Sequence, residues 1–464
     1  MVLIVLFKRP LAASRQASAA PSSPVLAALA AGLLSVSLLL GGAGDSYPLI
    51  AMGIEVCSVA LLWYLVATTP GSRHPIGLLP GLILIGVIAL PLLQLVPLPA
   101  GLWQELPGRD RALKLLTLSG LAGRWRPISL EPGATISTAL EMLPALAMFF
   151  CVLNLPERDR LRLVRVAIAV GLVSALLGAL QKAGGDLSPF ILFETPHRSD
   201  SPGLFVNRNH QATFLLICML LTAGAARAHK PMQAAAGGLV RAISAGLILV
   251  FAAGVVVTTS RTGFLLLLPA IAASILIAFP VRWNWKFALG ALALAAGLVA
   301  LGLQSEAVQS TLARFSDLDD ERTIYWSDTL QAIGQSWPFG SGLGTFPQVH
   351  ASVQDIRSVN IQFVNNAHND YLELVLEGGA VAAALIGLGL IYLVVAGVHL
   401  WGRARRGASW AMGAAALGAI LVVLLHSIFD YPLRMLSIMA LFGLLWGLLV
   451  TTSAPLRQSR GKPF

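Results

Sequence analysis

The chain has 464 residues, of which 56% are hydrophobic and only 12% are charged, and its mean hydropathy is +0.77. Soluble domains carry about 25% charged residues, so this composition excludes an ordinary soluble enzyme and indicates a membrane protein. The net charge of +10 is explained by basic cytoplasmic loops, and it does not require nucleic acid as a partner.

Apolar runs of the length that a bilayer core demands, about 17–25 residues, recur along nearly the whole chain. A transmembrane barrel would show short alternating segments instead, and the sequence has none. We therefore predict an all-α polytopic membrane protein with about 12 transmembrane helices. The predicted spans lie at 25–43, 47–67, 76–97, 136–155, 163–181, 210–226, 240–257, 263–280, 286–303, 371–400, 409–428 and 433–451.

The N-terminal residues and the cysteines give no sign of processing or cross-linking. The first two dozen residues carry an apolar tip that is too short to span a membrane, so we interpret them as a cytoplasmic tail and not as a cleaved signal peptide. Cys57, Cys151 and Cys218 fall inside apolar runs without the spacing of a metal site. They are expected to be small core residues, and neither a disulfide nor a thiol metal site is predicted.

The distribution of positive charge predicts which side of the membrane each loop faces. With the N-terminus in the cytoplasm, more than half of the 32 Lys and Arg residues fall on the cytoplasmic side, so we expect both termini there. The external segments are longer, and a long loop in a compact protein is usually functional. We predict a cytoplasmic tail at 1–24, nine spans at 25–303 and a large periplasmic loop with short helices at 304–368. Three further spans follow at 369–451, and a second cytoplasmic tail lies at 452–464.

Three arginines lie at the external ends of spans, against the charge bias. They are Arg208 in "FVNRNHQATF", Arg261 in "TTSRTG" and Arg434 in "HSIFDYPLR". Ionisable groups at membrane depth are costly and usually face the bundle interior or a watery cavity. Each arginine could instead pair locally or extend to the interface, for example Arg434 with Asp430. Their recurrence at one leaflet favours a cationic cavity for an anionic ligand, since the guanidinium fork suits phosphate oxygens.

The large external loop contains two recognisable motifs. "ERTIYWSDTLQAIGQ" places Ile324, Leu330 and Ile333 among polar residues, which predicts an amphipathic helix at the surface. "WPFGSGLGTF" lacks the Lys-Ser/Thr of a phosphate-binding loop. Its glycines are therefore expected to form tight turns.

The segment "AHNDYLELVLEGG" puts a histidine and three carboxylates at the start of an apolar run. On a helix, Asp370, Glu373 and Glu377 would share one face. Asp370 and Glu373 also fit an Asp-x-x-Glu capping box, so a purely structural role stays open for them. His368 has no such explanation, and it suits proton transfer or a hydrogen bond to a phosphate. No metal-binding spacing accompanies it, so no metal or other cofactor is predicted.

Together these motifs resemble the O-antigen ligase and polymerase superfamily, which consists of multi-spanning bacterial glycosyltransferases of the GT-C type. The resemblance covers most of the chain after about residue 85 and depends on the order of the motifs around the spans. The motifs are "LPLLQLVPLP", "FVNRNHQATF", "SRTG", "RTIYW", "PFGSGLGTF", "AHNDYLELVLEGG" and "HSIFDYPLR".

The resemblance implies a reaction and a location. A glycan on undecaprenyl pyrophosphate would be transferred in the periplasm to an acceptor hydroxyl, without a metal, by an enzyme of the bacterial inner membrane. Its partners would be this donor, a glycan or lipid acceptor and membrane lipids. Polysaccharide-assembly proteins are possible further partners. A pyrophosphate leaving group needs fixed positive charge where its own charge grows, which agrees with the external arginines.

The resemblance also assigns roles to individual residues. Arg261 of "SRTG" and Arg322 of "RTIYW" would contact the pyrophosphate. Arg208 and Arg434 are further candidates for the same role. His368 matches the loop histidine of the superfamily and would position or deprotonate the acceptor hydroxyl.

The remaining candidates and the acceptor are less defined. Glu373 and Glu377 would orient neighbouring groups or line the cavity, and the role of His210 and Asn209 stays open because they match only part of the superfamily. The motifs do not separate ligases that use lipid A core from polymerases that use a lipid-linked repeat unit, or from relatives that glycosylate proteins. We favour a polymerase of an exopolysaccharide or O-antigen, because nothing in the sequence marks a lipid A acceptor.

A transporter or flippase of lipid-linked glycans or other anions would use the same cationic cavity. Transporters often carry inverted repeats and polar groups near the membrane midplane. This sequence shows no matching halves, and its polar residues cluster at one leaflet, which favours chemistry at the membrane surface. A structural scaffold would leave the external arginines unexplained.

Overall fold

A computed structural model describes residues 23–44, 46–69, 74–194, 202–229, 234–278, 309, 322–354, 364–402 and 407–453. Within these ranges the chain is almost entirely helical, as predicted. The exception is a short ribbon in which Pro97–Leu98 (β1) pairs antiparallel with Arg126–Pro127 (β2).

The helices fall into a first group before the predicted long loop at 304–368 and a second group within and after it. The first group is α1 (Pro24–Leu40), α2 (Pro48–Thr68), α3 (Leu78–Gln94), α4 (Ala100–Gln104), α5 (Asp110–Leu118), α6 (Pro132–Glu141), α7 (Leu143–Asn154), α8 (Glu157–Gly184), α9 (Arg208–Ala228), α10 (Ala234–Val257) and α11 (Arg261–Ala278). The second is α12 (Arg322–Ser336), α13 (Phe346–Val353), α14 (Asp370–Gly402), α15 (Ala408–His426) and α16 (Leu436–Ser453).

In the described ranges, nine helical stretches are long and apolar enough to cross a membrane, α6 and α7 together forming one of them. The helices α1 and α3 are apolar but shorter. Together they match every predicted span except 286–303, which lies outside the described residues. The all-α polytopic class is therefore confirmed, and the count of twelve spans and the domain bounds stay predictions.

The centre of the bundle is formed by α9 and α16, which are the most buried of the described spans. α9 packs against α10, α11 and α15, and α16 packs against α7 and α15. Small residues let membrane helices approach closely. At Gly443 of α16 a Cβ would lie 2.0 Å from the carbonyl oxygen of Ala145, so this contact requires glycine.

The cysteines follow the prediction in part. Cys151 and Cys218 are buried and unpaired, as expected, whereas Cys57 is exposed on α2, so the core position expected for it is wrong. Met52 and Trp63 on the same helix are also exposed. Hydropathy predicts a span but does not separate its lipid-facing side from its core-facing side, because both are apolar.

The helix α14 is interrupted near its start, and the glycine motif "WPFGSGLGTF" packs against the interruption. Gly379 has φ 58° and ψ −144°, which breaks the helical hydrogen bonding. The carbonyl oxygens of Leu376 and Glu377 instead accept hydrogen bonds from the backbone N–H groups of Ser341 (3.1 Å) and Gly342 (2.9 Å). The turn thus satisfies backbone groups that the kink leaves open.

The glycine motif forms tight turns, as predicted, with positive φ at Gly340, Gly342 and Gly344. It is held from the other side by Arg109, which is 1% exposed and donates to the carbonyl oxygens of Ile128 (2.6 Å) and Gly340 (3.2 Å). Burial lowers the pKa of Arg109 to about 10, so it stays charged at neutral pH. The turn is therefore fixed between α14 and the segment that follows α3.

We expect Gly379→Ala to destabilise the protein. Alanine disfavours a φ of 58°, and its Cβ would lie 2.1 Å from the carbonyl oxygen of Pro338. Strain of this kind costs about 1–3 kcal/mol, measurable as a lower unfolding temperature of the purified protein in detergent. The control is Gly387→Ala in the same helix, where a Cβ meets open space and alanine favours the helix. Equal unfolding temperatures for the two variants would contradict this interpretation.

Candidate active site

A buried carboxylate, Asp430, lies where segments distant in the sequence meet at one end of the bundle. It follows α15 and is fully buried. Its Oδ2 accepts hydrogen bonds from the side-chain amides of Asn209 (2.5 Å) and Asn207 (3.4 Å), which begin α9. Its Oδ1 accepts from the backbone N–H of Tyr431 (3.0 Å). The carboxylate is thus held on both oxygens.

A third side chain bonded to this carboxylate is His368, whose Nδ1 lies 3.3 Å from Asp430 Oδ1. Burial alone would raise the pKa of Asp430, but the His368 hydrogen bond, with the positive charge of nearby groups including Arg322, holds it well below its usual range. An ionised carboxylate only accepts hydrogen bonds, so His368 Nδ1 must be the donor. This leaves the lone pair on Nε2, the atom that a general base uses.

The imidazole of His368 is fixed by two tyrosines and remains accessible. It lies in the loop before α14 with φ 51°. Tyr431 approaches it edge-on, with ring centroids 4.9 Å apart, and Tyr325 stacks on it at 6.4 Å. The His368 side chain is 30% exposed, so a substrate hydroxyl could reach the ring.

The "RTIYW" motif is positioned on α12, which covers the His368 loop. Besides the stacking of Tyr325, the indole N–H of Trp326 donates to the carbonyl oxygen of Ala367 at 3.0 Å. Arg322, at the first position of α12, is close enough to stabilise the ionised Asp430 electrostatically. The motif therefore supplies both support for the histidine and a positive charge.

The helix predicted in this part of the loop is confirmed, but its buried face differs from the apolar pattern. Ile324 and Leu330 are exposed, and only Ile333 is partly buried. The residues of α12 that are fully buried are Thr329, Ala332 and Ser336. Small residues occupy this face because α12 packs closely on α13 and α14.

Arg434 is engaged by two carboxylates of α14. Its Nη2 lies 3.1 Å from Glu373 Oε1 and 2.7 Å from Glu377 Oε2, so the alternative of a local pair with Asp430 is wrong. Burial by itself would lower the pKa of Arg434, but Glu377 and Glu373 raise it above its usual range. Glu377 Oε1 also accepts from the backbone N–H of Phe346 (3.1 Å). The Arg434, Glu373 and Glu377 side chains thus link the α15–α16 turn, the kinked helix α14 and the glycine motif.

The capping-box interpretation of Asp370 with Glu373 is also wrong. The side-chain oxygen of Asn369 accepts from the backbone N–H groups of Tyr371 (3.0 Å) and Leu372 (3.1 Å), so Asn369 caps α14. Asp370 Oδ2 accepts instead from the hydroxyl of Ser427 at 2.6 Å. The carboxylates of this segment hold the α14 start against neighbouring segments.

The other two arginines predicted at external span ends, Arg208 and Arg261, begin neighbouring helices at this same end. Arg208 is the first residue of α9, and its Nη1 donates to Thr259 Oγ1 at 3.4 Å. Arg261 lies two residues after Thr259 and is the first residue of α11. Since α9 and α11 pack against each other, both guanidinium groups lie at the end of the bundle that contains Asp430.

Two buried histidines complete the polar interior. His210 Nε2 lies 3.8 Å from Asp430 Oδ1, and its ring meets Tyr431 edge-on at 5.1 Å. His426 Nδ1 forms a 2.7 Å hydrogen bond with Thr213 Oγ1. In the part of the chain that the structure describes, no group of three His, Cys, Asp or Glu side chains is arranged to hold a metal ion.

The structure brings His368, Asn209, His210 and Arg322 around Asp430, and it places Arg434, Glu373 and Glu377 in a separate ion cluster. The sequence did not identify Asp430 as the residue around which this site is built. The signal that could have found it is its position in "FDYPL", directly after an apolar span where an acidic residue is costly. The arrangement offers an oriented, accessible base beside positive charge.

One stretch of the chain matches a known protein family. Residues 245–387 match the family model described as O-antigen ligase, a stretch that includes Arg261, Arg322 and His368. A comparison with curated proteins finds no match. Residues 245–387 are therefore identified as an O-antigen ligase domain, which supports the O-antigen ligase and polymerase superfamily that the motifs predict.

Proposed function

We propose that this protein transfers a glycan from undecaprenyl pyrophosphate to an acceptor hydroxyl at the periplasmic face of the bacterial inner membrane. The observation that carries the proposal is the accessible His368 imidazole held through Nδ1 by the buried Asp430, at the end of the bundle where the external arginines begin their helices. A base fixed in one tautomer and placed beside cationic groups suits transfer from a pyrophosphate.

His368 acts on the acceptor. Its Nε2 accepts the proton of the acceptor hydroxyl while the hydroxyl oxygen forms a bond to the anomeric carbon of the donor sugar. The imidazolium that forms is stabilised by the ionised Asp430, 3.3 Å away. A carboxylate that orients a histidine and stabilises its charged form is a recurrent device of general-base catalysis.

The arginines act on the leaving group. As the bond between the anomeric carbon and the pyrophosphate oxygen breaks, negative charge grows on the lipid pyrophosphate, and fixed guanidinium groups stabilise it. Arg261 and Arg322 make these contacts, with Arg208 beside them, and no metal is needed. Arg434 holds α14 in place through Glu373 and Glu377 and does not contact the pyrophosphate.

The acceptor is another lipid-linked glycan or a lipid-borne sugar, so that the enzyme is a surface-polysaccharide polymerase or ligase. We favour the polymerase, because nothing in the sequence marks a lipid A acceptor. Transport of the lipid-linked glycan would require the cationic groups but not an oriented base. The His368–Asp430 pair therefore favours transfer over transport.

We expect His368→Ala to lower the rate of glycan transfer by about 10²–10⁴-fold, the usual contribution of a general base. The measurement is polymer or conjugate formed by the purified protein from a lipid-linked glycan donor and acceptor. The control is His399→Ala, which removes an exposed histidine near the far end of α14, the helix that follows His368, and should leave the rate unchanged. Full activity of His368→Ala would exclude the proposed base.

We expect Arg261→Ala to abolish transfer as well, because the charge that grows on the leaving pyrophosphate would lose a fixed cation. Arg241→Ala is the matched control, since Arg241 is exposed on α10 and bonds to the carbonyl oxygen of Gly237 in its own helix. Unfolding temperatures of both variants report whether they fold. Wild-type transfer by a folded Arg261→Ala variant would contradict the role given to Arg261.

Asp430→Asn should lower the transfer rate, because the carboxylate that orients His368 through Nδ1 and stabilises the imidazolium is lost. If Asp430 acts through His368, the same substitution should have little further effect in a His368→Ala background. A residue with only a packing role would lower the rate by the same factor in both backgrounds. Equal losses in the two backgrounds, measured on folded variants, would therefore contradict the pairing.

Transfer should continue in the presence of a strong chelator of divalent cations, because arginines supply the charge that a metal would otherwise provide. The measurement is the rate after extensive dialysis against the chelator, compared with the rate after Mg²⁺ or Mn²⁺ is restored. Loss of transfer that a divalent cation rescues would show that a metal takes part.

A further inference from the structure

A cavity lies at the opposite end of the bundle from His368, where α8 begins, α9 ends, α15 begins and α16 ends. Its volume is about 410 Å³, and ligand sites typically measure about 300–1,000 Å³. The bias of positive charge predicts that this end faces the cytoplasm. Glycan transfer at the other end makes no use of it.

The rim of this cavity carries excess positive charge. Arg158, Arg160 and Arg165 line it, and Glu157 is the acidic residue among the lining residues. Arg160 is buried and donates from Nε to the carbonyl oxygen of Val152 (2.9 Å).

The other two lining arginines are available to a ligand. Arg158 and Arg165 are exposed, and neither forms a hydrogen bond or ion pair with a residue that the structure describes. By contrast Arg162, on the same helix, is paired with Asp159 at 2.5 Å. Among the arginines of α8, the two with uncompensated charge are therefore those that line the cavity and are exposed.

The cavity is apolar on its inner side. Met412 and Leu448 are buried and Leu161 is half-buried, and all three line it. Ser409, near the start of α15, lines the polar side of the cavity. The residue that caps this helix, Gly407, has no side chain to accept hydrogen bonds from the first-turn backbone N–H groups. An inorganic anion could contact the arginines but would gain no binding energy from the apolar wall. A phospholipid has both a phosphodiester for the arginines and acyl chains for the apolar wall.

We propose that this cavity binds the headgroup of an anionic phospholipid, with Arg158 and Arg165 contacting the phosphodiester oxygens and the acyl chains lying against the apolar wall. The cytoplasmic leaflet is rich in anionic lipid, and basic pockets between transmembrane helices at this surface recognise such headgroups. The bound lipid joins α8, α9, α15 and α16. Since Asn209 lies in the first turn of α9 and α15 leads into Asp430, the lipid stabilises helices that carry the active site at their other end.

The test is lipid-dependent stabilisation of the full-length protein, delipidated in an uncharged detergent. Phosphatidylglycerol should raise the unfolding temperature with a saturable dose response, and phosphatidylcholine and inorganic phosphate at equal concentration should not. Arg158→Gln and Arg165→Gln should each weaken the apparent affinity by about fivefold, and together by about 30-fold. Arg241→Gln is the control, because it makes the same charge change at an exposed position outside the cavity.

Three results would overturn the proposal: undiminished phosphatidylglycerol stabilisation of the double variant, an equal loss in Arg241→Gln, or equal stabilisation by inorganic phosphate. The unfolding temperatures without lipid show whether each variant folds. Because both arginines are exposed, the single variants keep the test decisive should the double variant not fold. The outcome does not depend on glycan transfer, since the measurement needs no donor or acceptor.

Discussion

A fully buried carboxylate must be surrounded by donors, because an unpaired buried charge is very costly. Asp430 meets this requirement by taking donors from the start of α9, from the loop before α14 and from its own turn. The His368 hydrogen bond and the positive charge of nearby groups outweigh the effect of burial and hold the pKa of Asp430 well below its usual range. The same bonds that satisfy Asp430 therefore fix the tautomer and position of His368, on which the proposed chemistry depends.

A second buried set of charges supports the first. Arg434 lies four residues after Asp430 but pairs with Glu373 and Glu377 on α14, so the α15–α16 turn is tied to the helix that follows His368. Glu377 in turn bonds to the backbone at Phe346, next to the glycine motif that fills the kink of α14. The loop histidine is thus held from both sides by buried polar contacts, which suits a site that must be in place before the substrate binds.

Sequence reasoning predicted the spans well because a bilayer imposes length and hydropathy on each helix. It also singled out His368 and the arginines at span ends as candidates, since polar groups there are exceptions to that rule. It failed for Asp430 because a carboxylate near Arg434 suggests a local pair, whereas its real partners include Asn209, 221 positions away. It failed for Cys57 and for the buried face of α12 because burial among apolar helices depends on neighbours that hydropathy does not identify.

The central claim is that His368 faces the acceptor while the arginines hold the pyrophosphate. The most direct measurement is an electron cryo-microscopy structure of the protein in a lipid bilayer with an undecaprenyl-pyrophosphate glycan bound. We predict pyrophosphate oxygens within about 3 Å of the Arg261 and Arg322 guanidinium groups and the anomeric carbon facing His368 Nε2. A pyrophosphate bound away from these arginines, or a donor sugar out of reach of His368, would contradict the account.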